Sequence, residues 1–562
     1  MDLVREINEL RRRRSAPYVL ELDLTQPLLE DRPTDLVARL VWRRRASRSA
    51  VLKALHDARS DPHVAGLVAK LGSRGMGFAS AQELRDAVKA FREAGKVTVA
   101  WAETFGEFGG ATVPYYLASG FEDIWLQPSG EVGFVGVASS SLFLAEALDT
   151  AGVRRQVGTR HEYKNAANMF LERSFTGPQR EATGRVVASL FEQVAAGVAE
   201  GRRLEEGKVR DLADRAPLAA KDAHEAGLVD HVGYRDEVYG ALRERTSAEA
   251  QLLFAERYHP RKPIGARLRK AVPRRHSIVA LVHGSGRIRL GRSSEGPLSS
   301  AAMGSDTTSA ALRSALDDVR VRAVVFRVNS PGGSYVASDT IWREVVRLKD
   351  AGKPVVVSMG DVAASGGYFV SAPADWIVAE PGTLTGSIGV LGGKFSIADV
   401  LARFGVGHGT ISEGRHTRMM STLEEFTAEE WEQLSDWLDR IYDDFVGKVA
   451  AGRSMTVEAV GEVARGRVWT GADAKERGLV DELGGLERAG ALARQRAGLA
   501  DDTPLVRFPQ VSAAQRLRPP RSSEDAGAAA ATLGAWGPFS ALAARIGLPV
   551  AGPLTMPAID IS

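Results

Sequence analysis

The chain of 562 residues contains no cysteine, which excludes disulfides, thiol nucleophiles and thiolate metal sites together and leaves the compartment open. It also lacks an apolar stretch of membrane-spanning length, and residues 1–14 lack the apolar core of a signal peptide. The expectation is therefore a cytoplasmic or peripherally membrane-associated protein. Net charge is scarce: 73 Lys and Arg against 70 Asp and Glu leave +3. A nucleic-acid binder needs a clustered basic face, so the Arg clusters at 11–14, 43–45 and 267–275 are read as solvated surface or membrane-headgroup contacts. Nucleic acid is not expected as a partner. No Walker loop is present, and Gly284-Ser285-Gly286 lacks the third glycine of a dinucleotide fingerprint; no cofactor and no metal are expected. None of the ten histidines sits in a recognisable triad context. Lysine is rare as well, 14 of the 73 basic residues. That narrows the choice of a basic side chain able to lose a proton near neutrality, because arginine cannot.

What is present is written twice. Gly227-Leu-Val-Asp-His-Val-Gly233 returns 251 residues later as Gly478-Leu-Val-Asp-Glu-Leu-Gly484. Glu93-Ala-Gly-Lys96 before one apolar run answers Asp350-Ala-Gly-Lys353 before another, 257 residues on. A period of this length is a duplicated domain, since solenoid repeats are several-fold shorter. In each copy apolar runs (Val64 to Leu71 and Val97 to Trp101; Arg322 to Val328 and Val355 to Met359) alternate with segments of helical period. That alternation predicts an α/β fold with a buried, largely parallel sheet in each copy. The expected organisation is a basic segment at 1–14, a first repeat at 15–244, a linker at 245–276, a second repeat at 277–510, and a linker with an Ala/Gly/Pro-rich tail at 511–562. Within the tail, 527–555 is broken by Pro538, Arg545, Pro549 and Pro553, and reads as a docking or flexible segment, not an anchor.

The copies differ where chemistry would sit. In the second, the strand ending near Val328 runs into Asn329-Ser-Pro-Gly-Gly-Ser334 and then a helix. Paired glycines turn the backbone sharply and uncover N–H groups at a helix N-terminus, where negative charge is stabilised. A plain strand-to-helix turn uses the same residues. About thirty residues on, Ala363-Ala-Ser-Gly-Gly-Tyr368 sets Ser365 among small residues at another such turn, with the Gly366 N–H as a second oxyanion donor. A helix cap would also suit that serine. At an offset of 253 the first copy has Thr112 opposite Ser365, and at 257 it has Ser73-Arg-Gly-Met76 opposite Ser330-Pro-Gly-Gly333. It has lost both the serine and the glycine pair. Conversely, Lys164 of the first copy faces Thr417 of the second. A serine in one copy and a lysine in the other are complementary, as a hydroxyl nucleophile and a base made neutral by desolvation would be.

Four strings in order resemble the signal peptide peptidase A family, also called protease IV, in its long duplicated form: Tyr163-Lys164, Arg327-Val-Asn-Ser-Pro-Gly-Gly-Ser334, Ala364-Ser-Gly-Gly-Tyr368 and Leu384-Thr-Gly-Ser-Ile-Gly389. The resemblance covers roughly residues 50 to 500. It implies tandem Clp protease/crotonase-like domains and a serine endopeptidase with a Ser–Lys dyad, in which Ser365 is the nucleophile and Lys164 the general base. It further implies oxyanion donors at the Gly333 and Gly366 amides and a lysine-orienting role for Ser387. It implies homo-oligomers, with a tetramer favoured, acting on signal-peptide remnants and other short apolar peptides without cofactor or metal; a peripheral membrane contact is a separate expectation, from the Arg clusters. The rival readings are a crotonase-type acyl-CoA enzyme, for which Asp361 is the one carboxylate beside the Ser365 or Gly333 segments, and a non-catalytic oligomeric scaffold.

Overall fold

The computed structural model describes residues 16–31, 40–43, 45–72, 76–107, 109–260, 277–296, 299–509, 554–556 and 560–561. Two sheets of the same order account for the duplication. The first runs Gln251–Phe254, Tyr18–Leu24, Val64–Leu71, Val97–Ala102, Asp123–Leu126, His231–Val232, with every neighbouring pair parallel. The second runs Leu505–Phe508, Ile278–Ser285, Val321–Ser330, Val355–Ala364, Trp376–Ala379, Glu482–Leu483, also parallel. In each copy a short strand after the fifth of these pairs antiparallel with a later one: Glu131–Val132 with Leu218–Ala219, and Leu384–Gly386 with Val468–Thr470. The edge strand Gln251–Phe254 falls inside the stretch expected as linker, and completes the first sheet.

The apolar runs form strands buried on both faces, and alternate residues serve different cores. Ala280, Val282, Val324, Phe326 and Val328 face the large core shared with helices Tyr335–Asp350 and Ala428–Arg453. Val279, Leu281, Ala323 and Val325 face helix Leu486–Arg496 on the other side. Each copy also has one 26-residue helix, Gly177–Arg202 and Ala428–Arg453, started by Thr176 and Thr427. Both threonine hydroxyls accept from the backbone N–H three residues on, satisfying a donor that the helix leaves unpaired.

The copies are interlocked. Strand Arg154–Thr159 of the first pairs antiparallel with Leu391–Ser396 of the second, in register from Thr159↔Leu391 to Arg154↔Ser396. A second tie is ionic and buried. Arg327, on the strand leading to the glycine pair, donates to Glu30 Oε1 and Glu83 Oε2 at 2.9 Å each, and to Ser358 Oγ at 2.8 Å and Met359 O at 3.0 Å. Arg48 shares both carboxylates and reaches Asp361 Oδ2 at 3.4 Å. Burial opposes ionisation of Glu30, but Arg48 and Arg327 outweigh it and hold the carboxyl well below its ordinary range. Two arginines against three carboxylates, nearly all out of water, form a unit in which each charge depends on the others. Removing one partner leaves an uncompensated buried charge, which costs about 3–5 kcal/mol. Glu83→Ala is therefore expected to lower the stability read from a urea unfolding curve by that amount. A change under about 0.5 kcal/mol would show that the network does not couple the copies.

Candidate active site

Each element that meets at the site has a local reason to end where it does. Strand Val355–Ala364 stops at Ser365, and helix Gly366–Ser371 begins at the next residue. Ser365 makes that turn with φ 55° and ψ −117°. This lies outside the left-handed region that non-glycine residues occasionally visit, so the turn is strained and its neighbours must hold it. Its N–H donates to Gly386 O at 2.8 Å. Gly366 follows because a Cβ there would come within 3.1 Å of Gly333 N and Gly332 Cα. The two glycine segments are thus stacked against each other, and Gly332 itself turns at φ +93°.

The lysine arrives from the other copy. After strand Arg154–Thr159 the chain is held by Arg160 N donating to Val390 O at 3.0 Å and Tyr163 N donating to Arg465 O at 3.2 Å. Lys164, 1% exposed, then reaches into the second copy. Its Nζ donates to Ser365 Oγ at 2.9 Å, Ser387 O at 3.0 Å and Ser387 Oγ at 3.1 Å. Ser365 and Lys164 therefore meet within one chain. Three acceptors match the three donors of an ammonium, but no carboxylate is among them, and burial alone drives the Lys164 pKa from 10.5 down to about 7. Near neutrality the amine is divided between protonated and neutral forms, the neutral form being able to take a proton from Ser365.

Of the expected site residues, Ser365, Lys164 and Ser387 lie in one hydrogen-bonded group, and Gly333 and Gly366 lie side by side against it. Ser387 also has a positive φ, 50°, and its N–H donates to Arg467 O at 2.7 Å. In the first copy Thr112, opposite Ser365, is buried and donates to Gly136 O at 2.7 Å; in the second copy Thr417, opposite Lys164, lies on an exposed loop and donates to Glu413 O and Gly414 O. The facing segment Ser73-Arg74-Gly75 lies outside the described residues. The turn at 464–467 is a part of the site that no motif in the sequence marks. Gly466, φ +88°, lies so close that a Cβ would stand 2.5–2.7 Å from Lys164 N, Cα and Cβ, and its N–H donates to Ile388 O at 2.7 Å. Arg467 stacks on the Tyr163 ring at 3.8 Å and donates to Glu181 at 2.8 Å, while Tyr163 Oη donates to the same carboxylate at 2.7 Å. This turn clamps the backbone of the lysine. Its only trace in the sequence is one glycine beside two arginines.

The sequence model of peptidase family S49 matches residues 90–249 and 347–500, one stretch in each copy. The chain belongs to peptidase family S49. It is 33% identical over 468 residues to Protease 4 of Salmonella typhi, covering 80% of this chain and 72% of that one. It is 32% identical over 481 residues to Protease 4 of Haemophilus influenzae, covering 83% and 75%. To the chloroplastic serine protease SPPA of Arabidopsis thaliana it is 30% identical over 442 residues, covering 78% of this chain and 64% of that protein's length. A solved ClpP1 variant from Listeria monocytogenes overlays 37% of the chain and 93% of its own, at 15% identity and a TM-score of 0.25. By family, the chain is a serine peptidase. Among the described residues, no helix is long and apolar enough to cross a membrane.

The lowered lysine pKa has a directional consequence. The amine is protonated below about 7 and neutral above it. The rate at which a fluorophosphonate labels Ser365 is thus expected to rise with unit slope up to pH 7 and to level off above it. Labelling that climbs only beyond pH 9 would mean that Lys164 keeps its solution pKa.

Proposed function

We propose that this S49 peptidase is an endopeptidase with a Ser365–Lys164 dyad, acting on cleaved signal peptides and other short apolar peptides. The observation that carries the reading is the 2.9 Å contact from Lys164 Nζ to Ser365 Oγ, made by a buried lysine whose pKa falls to about 7. In the first step Ser365 Oγ attacks the scissile carbonyl while neutral Lys164 takes its proton. The Gly333 and Gly366 amides stabilise the oxyanion. Lys164 then hands the proton to the departing amine, leaving an acyl-enzyme. Water, giving its proton to Lys164, attacks the ester, and the proton returns to Ser365 as the acid product leaves. Ser387, accepting from the lysine through both O and Oγ, keeps Nζ aimed at the serine.

The acyl-CoA alternative needs a free carboxylate at the site. Asp361 is committed elsewhere: it accepts from Ser80 N at 2.8 Å and from Ser80 Oγ, and pairs with Arg48. A homo-oligomer, with a tetramer favoured, is part of the proposal. It is supported by the exposed apolar side chains Phe404, Val406, Ile411 and Met420, which lie on one stretch of the second copy. A cytoplasmic or peripherally membrane-associated location, with membrane-released peptides as substrates, completes the proposal.

Two variants test the dyad by steady-state cleavage of a fluorogenic apolar peptide. Ser365→Ala is expected to abolish turnover in a folded protein. Lys164→Arg keeps the charge but cannot release the proton, and is expected to lose about 10²–10⁴-fold in kcat. Full activity in either variant refutes the assignment.

A further inference from the structure

A cavity of about 630 Å³ lies in the first copy, bordered by the last turn of helix Phe78–Glu93, the last turn of helix Gly177–Arg202 and the first residue of strand Val97–Ala102. Thr112, the counterpart of Ser365, follows the other end of that strand, so the cavity and the dyad belong to opposite ends of the sheets. Its size is within the range of about 300–1,000 Å³ typical of small-molecule sites. Its walls carry six cationic side chains against three carboxylates. That local excess of three positive charges equals the +3 of the whole chain. Concave ground lined by one sign of charge concentrates ions of the other.

The duplication separates the cations that hold the fold from those that do not. Arg92 donates to Gly120 O at 2.8 Å, and Lys96 to Asp61 O at 2.8 Å and Val64 O at 2.6 Å. Lys349 and Lys353, their counterparts 257 residues on, likewise donate to backbone carbonyls. Arg245 pairs with Glu122 and Asp123, and has Arg496 opposite it at an offset of 251. Arg85, Lys89 and Arg203 have no such counterpart: Trp342, Val346 and Ser454 stand opposite them. Among the described residues Glu200 is the one carboxylate paired with Arg85 and Lys89, at 3.3 Å and 2.8 Å, and Ala451 stands opposite it. The Glu200 side chain is 56% exposed, whereas Arg85 is 8% exposed and its Nε has no hydrogen-bond partner among the described residues. Arg203, at the exposed end of the long helix, is in no ion pair among the described residues.

We propose that this cavity is a binding site for a phosphate-bearing anion of small-molecule size, held by Arg85, Lys89 and Arg203. Three cations against Glu200 leave two positive charges, and a phosphate monoester carries about −1.5 to −2 at neutral pH. Guanidinium forks match two phosphate oxygens at once, and the lysine adds a mobile point charge. Glu200 is displaced toward water as the anion takes its place beside Arg85 and Lys89. Two sources share this chemistry, a free phosphate compound and the headgroup of an anionic lipid. The site does not rest on the dyad reading, since none of its residues touches Ser365 or Lys164.

The test is calorimetric titration of inorganic pyrophosphate into the full-length protein at low, fixed salt. The parent is expected to bind one pyrophosphate per chain. The double variant Lys89→Val with Arg203→Ser, which writes the second copy's residues at two exposed positions, is expected to bind at least tenfold more weakly, with the Tm of the ligand-free protein unchanged. Glu200→Gln removes the competing carboxylate and is expected to bind at least threefold more tightly. No binding by the parent, or equal affinity in parent and double variant, overturns the site. Affinity unchanged or lowered in Glu200→Gln also overturns it, because the anion would not be taking the place of that carboxylate. Co-sedimentation with phosphatidylglycerol vesicles then distinguishes the sources. Loss of vesicle binding in the double variant alone assigns the site to a lipid headgroup, and vesicle behaviour shared by parent and variant assigns it to a free phosphate compound.

Discussion

Everything at the site depends on one buried lysine being left without a counter-ion. Lys164 gives its hydrogen bonds to a hydroxyl, a carbonyl and another hydroxyl, none of which stabilises a positive charge as a carboxylate would. Keeping it there disfavours the folded state below the lysine's solution pKa, at about 1.4 kcal/mol for each unit by which the pKa falls. The sign is that of a cation displaced toward neutrality. The cost is absent above 10.5, grows as the pH falls toward 7, and is constant below that. The surrounding packing must supply this energy, and it does so with structure from both copies.

That is why the duplication is interlocked instead of merely strung together. A lysine presented from one copy to a serine in the other tolerates little error, because a shift of an ångström removes it from hydrogen-bond range. The Arg154–Thr159 and Leu391–Ser396 pairing fixes the register a few residues before Lys164. The turn at 464–467 holds the next backbone segment so closely that only glycine fits at 466. The Arg48, Arg327, Glu30 and Glu83 cluster anchors the strand that ends at the glycine pair. A buried ion network is a poor source of net stability, but each charge in it has few alternative positions, and this suits a joint that must not slip.

The strands were legible because burial on both faces leaves uninterrupted apolar runs: Val64–Leu71 is the run itself. The pairing of Ser365 with Lys164 was legible because the copies could be compared position by position, and a residue present in one and replaced in the other points to division of labour. The resemblance supplied Ser387, which no periodicity singles out. What stayed hidden is set by contacts distant in sequence. Arg327 read as one letter of a motif, yet its partners Glu30 and Glu83 lie 297 and 244 residues away. Gly466 read as an ordinary turn glycine, since nothing local reveals that a lysine backbone fills the space of its missing side chain. The strand Gln251–Phe254 sits in a stretch dominated by charge and proline further on, and only its pairing with Tyr18–Leu24 makes it part of a sheet.

The glycine pair brings these threads together. Gly332 and Gly333 lie against Gly366 and offer an edge on which another strand pairs, while the Gly332 N–H donates to Ser330 Oγ at 3.1 Å. A Cβ at Gly332 would collide with the paired strand, and a Cβ at Gly333 would come within 2.1 Å of Ile288 O. Under the proposed mechanism Gly333 therefore serves both as an oxyanion donor and as part of the paired edge, so that altering one would alter the other. If the proposed mechanism holds, a site built this way would read the backbone of a peptide as it positions its carbonyl. On either side of that pairing, Leu554 packs into the core of the second copy and Met556 into that of the first. On that view, division between the copies extends beyond the serine and the lysine to the groove itself, and a single copy would present half a groove as well as half a dyad.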